Sequence, residues 1–171
     1  MRIYITGPAW SGKSTLARAL GDYYKIPVFH LDELLYDAGF IENNHYRTRQ
    51  AEIIAQDEWI LEGASVSILN SMQYSVDRVI ILNYSRIGNI IRIFSRFFEW
   101  LFGKKRIGWN GEKNSNKFSW KLLIKSANWR SRQLPRIRTN IKENSLERKT
   151  IEIRSIKNVF ENTVLELINI P

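Results

Sequence analysis

The eight residues Gly7-Pro8-Ala9-Trp10-Ser11-Gly12-Lys13-Ser14 constrain this chain more than any other feature. They follow the pattern G-x-x-x-x-G-K-[ST]. A strand-like run, Arg2-Ile3-Tyr4-Ile5-Thr6, precedes them, and Leu16, Ala17 and Leu20 follow at helical spacing. A glycine-rich turn between a strand and a helix N-terminus gathers backbone N–H groups into a concave anion nest, where the helix dipole favours negative charge. Gly7 lets the chain turn off the strand, and Gly12 lets the backbone approach a phosphate closely. Lys13 reaches the β- and γ-phosphates, and the Ser14 hydroxyl ligates Mg²⁺. Pro8, Ala9, Trp10, Ser11 and Thr15 complete the expected nucleotide contact. A chance lysine beside a glycine-rich turn is the plain alternative, and the strand–loop–helix context argues against it.

Short β-branched runs alternate with helical patterns along the rest of the chain, which predicts βα units and a parallel sheet. Strands are expected at Arg2–Thr6, Ile26–His30, Glu58–Glu62, Arg78–Asn83 and Thr150–Arg154. Helices are expected at Lys13–Tyr24, Tyr46–Gln56, Ser85–Phe102, Trp120–Asn144 and Ile156–Ile168. The stretch Gly103–Lys117, rich in glycine and asparagine, breaks the pattern and reads as a loop that could act as a lid. At 171 residues the chain fits a single α/β domain. Its acceptor-side segment would lie at about 32–56 and its lid insert at about 86–142.

Charge is unevenly placed. The net charge is +9, yet residues 86–142 alone carry 15 Lys/Arg against Glu99 and Glu112, so the remainder is net acidic. Such a segment attracts polyanions, whether the phosphates of a small ligand or a nucleic-acid backbone. A solvated helical face would account for only part of it. No cysteine is present, which excludes disulfides, thiolate metal sites and cysteine nucleophiles, and fits a cytoplasmic protein. The start of the chain does not resemble a secretory signal. The apolar run Ile87–Phe102 contains Arg92, Arg96 and Glu99. It is too short and too charged to span a bilayer, and an amphipathic helix is expected, with an interfacial membrane helix as the alternative.

In an open parallel sheet, ligands sit at the carboxyl ends of the strands. Two acids fall there. Asp32 follows the second strand in Phe29-His30-Leu31-Asp32, and Glu62 ends the third in Trp59-Ile60-Leu61-Glu62. Glu62 is the candidate metal-site acid, holding Mg²⁺ or its water shell, or contacting the acceptor, or else a solvated strand terminus. Asp32 is the candidate acceptor-side carboxylate, or else the cap of the next helix. His30 is expected to pack as a wall, and Glu58 to face solvent at the other end of the sheet. Arg92 and Arg96, spaced i, i+4, share one helix face and could clamp charge developing on a transferred phosphoryl group. Arg130, Arg132, Arg136 and Arg138 are too spread to face one site. The aromatic cluster Phe94, Phe97, Phe98, Trp100 and Phe102 would pack in a core, stack bases or form a dimer contact.

GPAWSGKST, HLD, WILEG and DRVIILNYSR followed by Arg-x-x-x-Arg resemble the adenylate-kinase-like P-loop proteins. Within them they look most similar to the topology modulation protein (FlaR-like) group. The resemblance implies a P-loop NTPase fold of the nucleoside-monophosphate-kinase type, with a five-stranded parallel sheet flanked by helices and a helical lid. It also implies an adenine loop near Arg154–Asn158. Two departures stand out. The family usually has Asp-Gly where this chain has Glu62-Gly63, and its fourth strand usually ends in Asp, where this chain has Asn83.

Two functions follow as expectations. The preferred one is an ATP-dependent kinase of a nucleotide or other small acceptor, using Lys13, Asp32, Glu62, Arg92 and Arg96, with Arg92 and Arg154 also touching the nucleotide. The other is an ATP-binding or ATP-hydrolysing protein that contacts nucleic acid through 86–142 and modulates DNA topology. An interaction protein with degenerate catalysis is a third. Neither the acceptor nor the oligomeric state is legible.

Overall fold

The computed structural model describes residues 1–9, 11–37, 44–84, 128–155, 159–161 and 163–164. Five parallel strands make one sheet: β1 (Arg2–Thr6), β2 (Val28–His30), β3 (Trp59–Glu62), β4 (Arg78–Leu82) and β5 (Thr150–Ile153). Their order is β2-β3-β1-β4-β5. From β1 the chain crosses to the outer β2, returns to β3 beside β1, and then continues on β1's other side. The loop leaving β1 therefore opens between the ends of β3 and β4, at the point where the winding reverses and where such sheets take ligands.

The described helices are α1 (Lys13–Tyr24), α2 (Leu31–Asp37), α3 (Asn44–Ile54), α4 (Ile68–Met72) and α5 (Trp129–Glu143). They cover both faces of the sheet, and side-chain alternation along the strands divides the core in two. Ile3 and Ile5 of β1, Ile60 of β3, and Ile80 and Leu82 of β4 pack with Leu16, Ala17 and Leu20 of α1. Tyr4, Leu61, Val79 and Ile81 point the other way, toward Ile68, Leu69 and Met72 of α4 and Leu134, Ile137 and Ile141 of α5. Burial on both faces explains why β1, β3 and β4 read as continuous apolar runs rather than alternating ones.

The expected strands all form, with trimmed ends. β2 starts at Val28 rather than Ile26 because the end of α1 uses the intervening backbone. Lys25 adopts φ 61°, and the amides of Lys25 and Ile26 both donate to the Gly21 carbonyl, closing the helix. The helix that the capping alternative places after Asp32 forms as α2, and the short α4 was not expected. The expected helix Tyr46–Gln56 is shifted to Asn44–Ile54, and Trp120–Asn144 is described from Trp129 to Glu143. The segment 85–127, which holds the expected Ser85–Phe102 helix and the lid, lies outside the described residues. No described helix is long and apolar enough to cross a membrane.

Candidate functional site

The loop expected to bind phosphate runs from β1 into α1. Gly12 caps α1 with φ 93° and ψ 17°, a left-handed conformation that costs a residue with a Cβ roughly 1–2 kcal/mol. The first N–H groups of α1 have no partner within the helix and present the loop with donors. The Ser11 amide donates to the Pro8 carbonyl at 3.3 Å, and the Lys13 ammonium folds back to donate to the same oxygen at 2.9 Å. Lys13 thus stands over the loop that its phosphate partners would occupy. Gly7, Pro8 and Ser11 are buried and Thr15 is exposed, while Trp10 lies outside the described residues.

Glu62 ends β3 beside this loop. Its Cα pairs with Ile5 on one side and His30 on the other, so the sheet register brings β3's last side chain between β1 and β2. The Ser14 hydroxyl donates to Glu62 Oε1 at 2.9 Å, and His30 Nδ1 meets the same oxygen at 2.8 Å. Only 3% of Glu62 is exposed. Burial, the largest single influence, pushes its carboxyl up. The hydrogen bond from His30, the charge of Lys13, the electrostatic attraction of His30 and the hydroxyl of Ser14 together outweigh burial and hold it below the ordinary value. Glu62 is therefore an anion inside the site, not a solvated strand terminus.

His30 is more than the packing wall expected of it. The signal that could have revealed it is positional. It is the last residue of β2, and in a parallel sheet the last residues of neighbouring strands face one edge. Which strand neighbours β2 is a matter of topology that the sequence leaves open.

Asp32 is the second residue of α2 and is exposed, in the first turn rather than at a cap. Gly63 fixes where α2 begins. A Cβ on Gly63 would lie 2.5 Å from Leu31 Cδ1 and 2.7 Å from its Cβ, so only glycine lets Leu31 sit on the end of β3. The buried Tyr4 hydroxyl donates to the Ser65 carbonyl at 2.7 Å and to the Gly63 carbonyl at 3.3 Å, anchoring the turn after Glu62.

The other sheet face carries a second cluster at the same edge. The Asn83 side-chain amide donates to Glu152 Oε1 at 2.7 Å. Arg138 of α5 donates to Glu152 Oε2 at 3.0 Å, and Arg154 donates to Oε1 at 2.9 Å. An amide at residue 83 thus has a physical reason. An aspartate there would set two carboxylates against each other, whereas the amide supplies a donor. Arg154 pairs with Glu152, and its side chain is largely exposed. Arg92 and Arg96 lie outside the described residues. Glu58 is exposed beside the N-terminal ammonium, as expected.

Among the described residues, no group of three or more His, Cys, Asp or Glu could hold a metal by itself. Ser14 and the ionised Glu62 are hard oxygen donors, which suits Mg²⁺, an ion that usually takes one or two protein groups and completes its shell with phosphate and water.

No protein-family model matches the sequence, and no curated protein matches it. Solved structures do. The chain is similar to shikimate kinase from Aquifex aeolicus (TM-score 0.52, 17% identity, covering 98% of this chain and 96% of that one). It is similar to shikimate kinase from Acinetobacter baumannii in complex with shikimate (TM-score 0.59, 14% identity, 98% and 90%). It is also similar to a gluconokinase from Sinorhizobium meliloti (TM-score 0.55, 13% identity, 96% and 87%). None of the three is a topology modulation protein. The chain has the fold of the P-loop kinases that resemble nucleoside-monophosphate kinases, with a five-stranded parallel sheet between helices.

Proposed function

We propose that this protein is an ATP-dependent kinase of a small-molecule acceptor. One observation carries the reading: the Ser14 hydroxyl and the ionised Glu62 meet at 2.9 Å at the mouth of the Gly7–Ser14 loop. Lys13 and the amides of α1's first turn would hold the phosphates of ATP. Ser14 would hold Mg²⁺ directly, with Glu62 holding it or its water shell. When bound, the ion supplies charge neutralisation on the transferred phosphoryl group. Structural neighbours named shikimate kinase and gluconokinase support a small acceptor over a macromolecular one.

The acceptor would enter on the β2 side, over α2. Asp32 is exposed in the first turn of α2, and in this reading it would orient a hydroxyl and take its proton. A hydroxyl acceptor is therefore preferred over a nucleoside monophosphate, whose phosphate is already anionic. No observation favours the nucleic-acid reading of the basic segment.

The test is transfer of labelled γ-phosphate from ATP to a panel of small hydroxyl compounds and nucleoside monophosphates, with Lys13→Ala as the control. Label should reach a hydroxyl compound, and Lys13→Ala should weaken ATP binding at least about tenfold, or about 1.4 kcal/mol. Unchanged ATP affinity in a folded Lys13→Ala protein would remove the loop from the mechanism.

A further inference from the structure

We infer that His30 is a positioning residue: it fixes the Glu62 carboxylate against Ser14 and so sets how strongly Mg²⁺ supports ATP binding. The inference rests on the kinase reading above and adds a role to a side chain that reading does not use. It begins with the length of glutamate. Glu62 has one more rotatable bond than an aspartate would have at the end of β3, so its carboxylate needs an external reference to hold one orientation. The sheet supplies one. His30 and Glu62 are register partners on adjacent parallel strands, and both side chains project to the α1 face.

The two donors converge on one oxygen. Ser14 reaches Oε1 from α1 and His30 reaches it from β2, at 2.9 and 2.8 Å. Two donors held on different elements, α1 and β2, restrict the carboxylate's freedom to swing. The bond from His30 needs an N–H at Nδ1, which the ring has in its protonated form and in the neutral tautomer that carries its proton on Nδ1. With 8% exposure, His30 is shielded from water that could replace the bond cheaply. Outer partners that orient a ligand in this way are worth roughly ten- to a hundredfold in metal affinity.

The test separates position from polarity. An asparagine side-chain N–H falls near the place of histidine Nδ1, and a glutamine N–H falls near Nε2. ATP affinity is measured by calorimetry for wild type, His30→Asn, His30→Gln and His30→Leu, once with Mg²⁺ and once with a chelator. The gain in affinity on adding Mg²⁺ should be nearly wild type in His30→Asn and roughly ten- to a hundredfold smaller in His30→Gln and His30→Leu. Affinity in the chelator should stay within about twofold throughout, since Lys13 and the loop amides do not depend on Glu62. Asparagine and glutamine variants with equal Mg²⁺ responses would overturn the inference, even if the leucine variant does not fold. A wild type that binds no ATP overturns the kinase reading and the inference together. A normal wild-type response that all variants retain overturns the inference alone.

Discussion

Two glutamates stand near the carboxyl edge of the same sheet, on opposite faces, and they are satisfied differently. Glu62 faces α1 and accepts from a hydroxyl and an imidazole N–H, neither of which needs a positive charge. Glu152 faces α5 and accepts from an amide and two guanidinium groups. Both carboxyls sit below the ordinary value, and for both the largest single influence, burial, pushes the other way. At Glu152 the arginines neutralise the charge in place, and the cluster ties β4, β5 and α5 together. At Glu62 the negative charge is stabilised by hydrogen bonds from His30 and Ser14 and by the electrostatic attraction of Lys13 and His30. A buried carboxylate kept ionised beside a phosphate loop suits the divalent cation of the proposed function. Two similar carboxylates thus differ in their donors, a hydroxyl and an imidazole at Glu62 and an amide with two guanidinium groups at Glu152, and the proposed function assigns the cation to Glu62.

The largest expected effect lies on Glu62's side of the molecule. If the acceptor is a hydroxyl compound, Asp32→Asn should lower the transfer rate by about 10²–10⁴-fold with ATP affinity nearly unchanged. Steady-state kinetics decide it, and full activity in a folded variant would end the assignment of Asp32 as a base.

A smaller effect should follow from Gly63→Ala. The added methyl would meet Leu31 at 2.5 Å, and relief by moving α2 should cost about 1–3 kcal/mol. Thermal melting should show the loss, with activity falling as Asp32 shifts. An unchanged melting temperature would mean that Leu31 yields without moving α2.

The smallest effect belongs to Glu152. Its lowered carboxyl means that the ionised form stabilises the fold. That contribution is fully present above the ordinary value of 4.5 and is lost as pH falls through the lower folded value. Because Arg138 and Arg154 are 53% and 72% exposed, solvent screens much of it, leaving about 1 kcal/mol or less. Wild type and Glu152→Gln should differ slightly in melting temperature at neutral pH and converge in acid. A difference that grows on acidification would contradict the sign.

The features legible in the sequence are those set by local chemistry. G-x-x-x-x-G-K-[ST] after an apolar run marked β1, the loop and α1, and the bounds of α1 agree residue for residue. Glu62's place at the end of β3 was legible because Trp59-Ile60-Leu61-Glu62 reads as a short apolar strand ending in an acid. Features that depend on how distant segments pair were not. His30 matters because β2 lies beside β3, and Asn83 matters because β5 brings Glu152 to it. The short α4 has five residues, too few turns for a periodic apolar face to show.

The difference between the two glutamates is tested most directly by the effect of Mg²⁺ on ATP affinity in Glu62→Gln and Glu152→Gln. Each variant removes one carboxylate charge and keeps its shape. Wild type and Glu152→Gln should gain affinity equally when Mg²⁺ replaces a chelator, and Glu62→Gln should lose roughly ten- to a hundredfold of that gain. Equal Mg²⁺ responses in the two variants would contradict the assignment of the cation to Glu62.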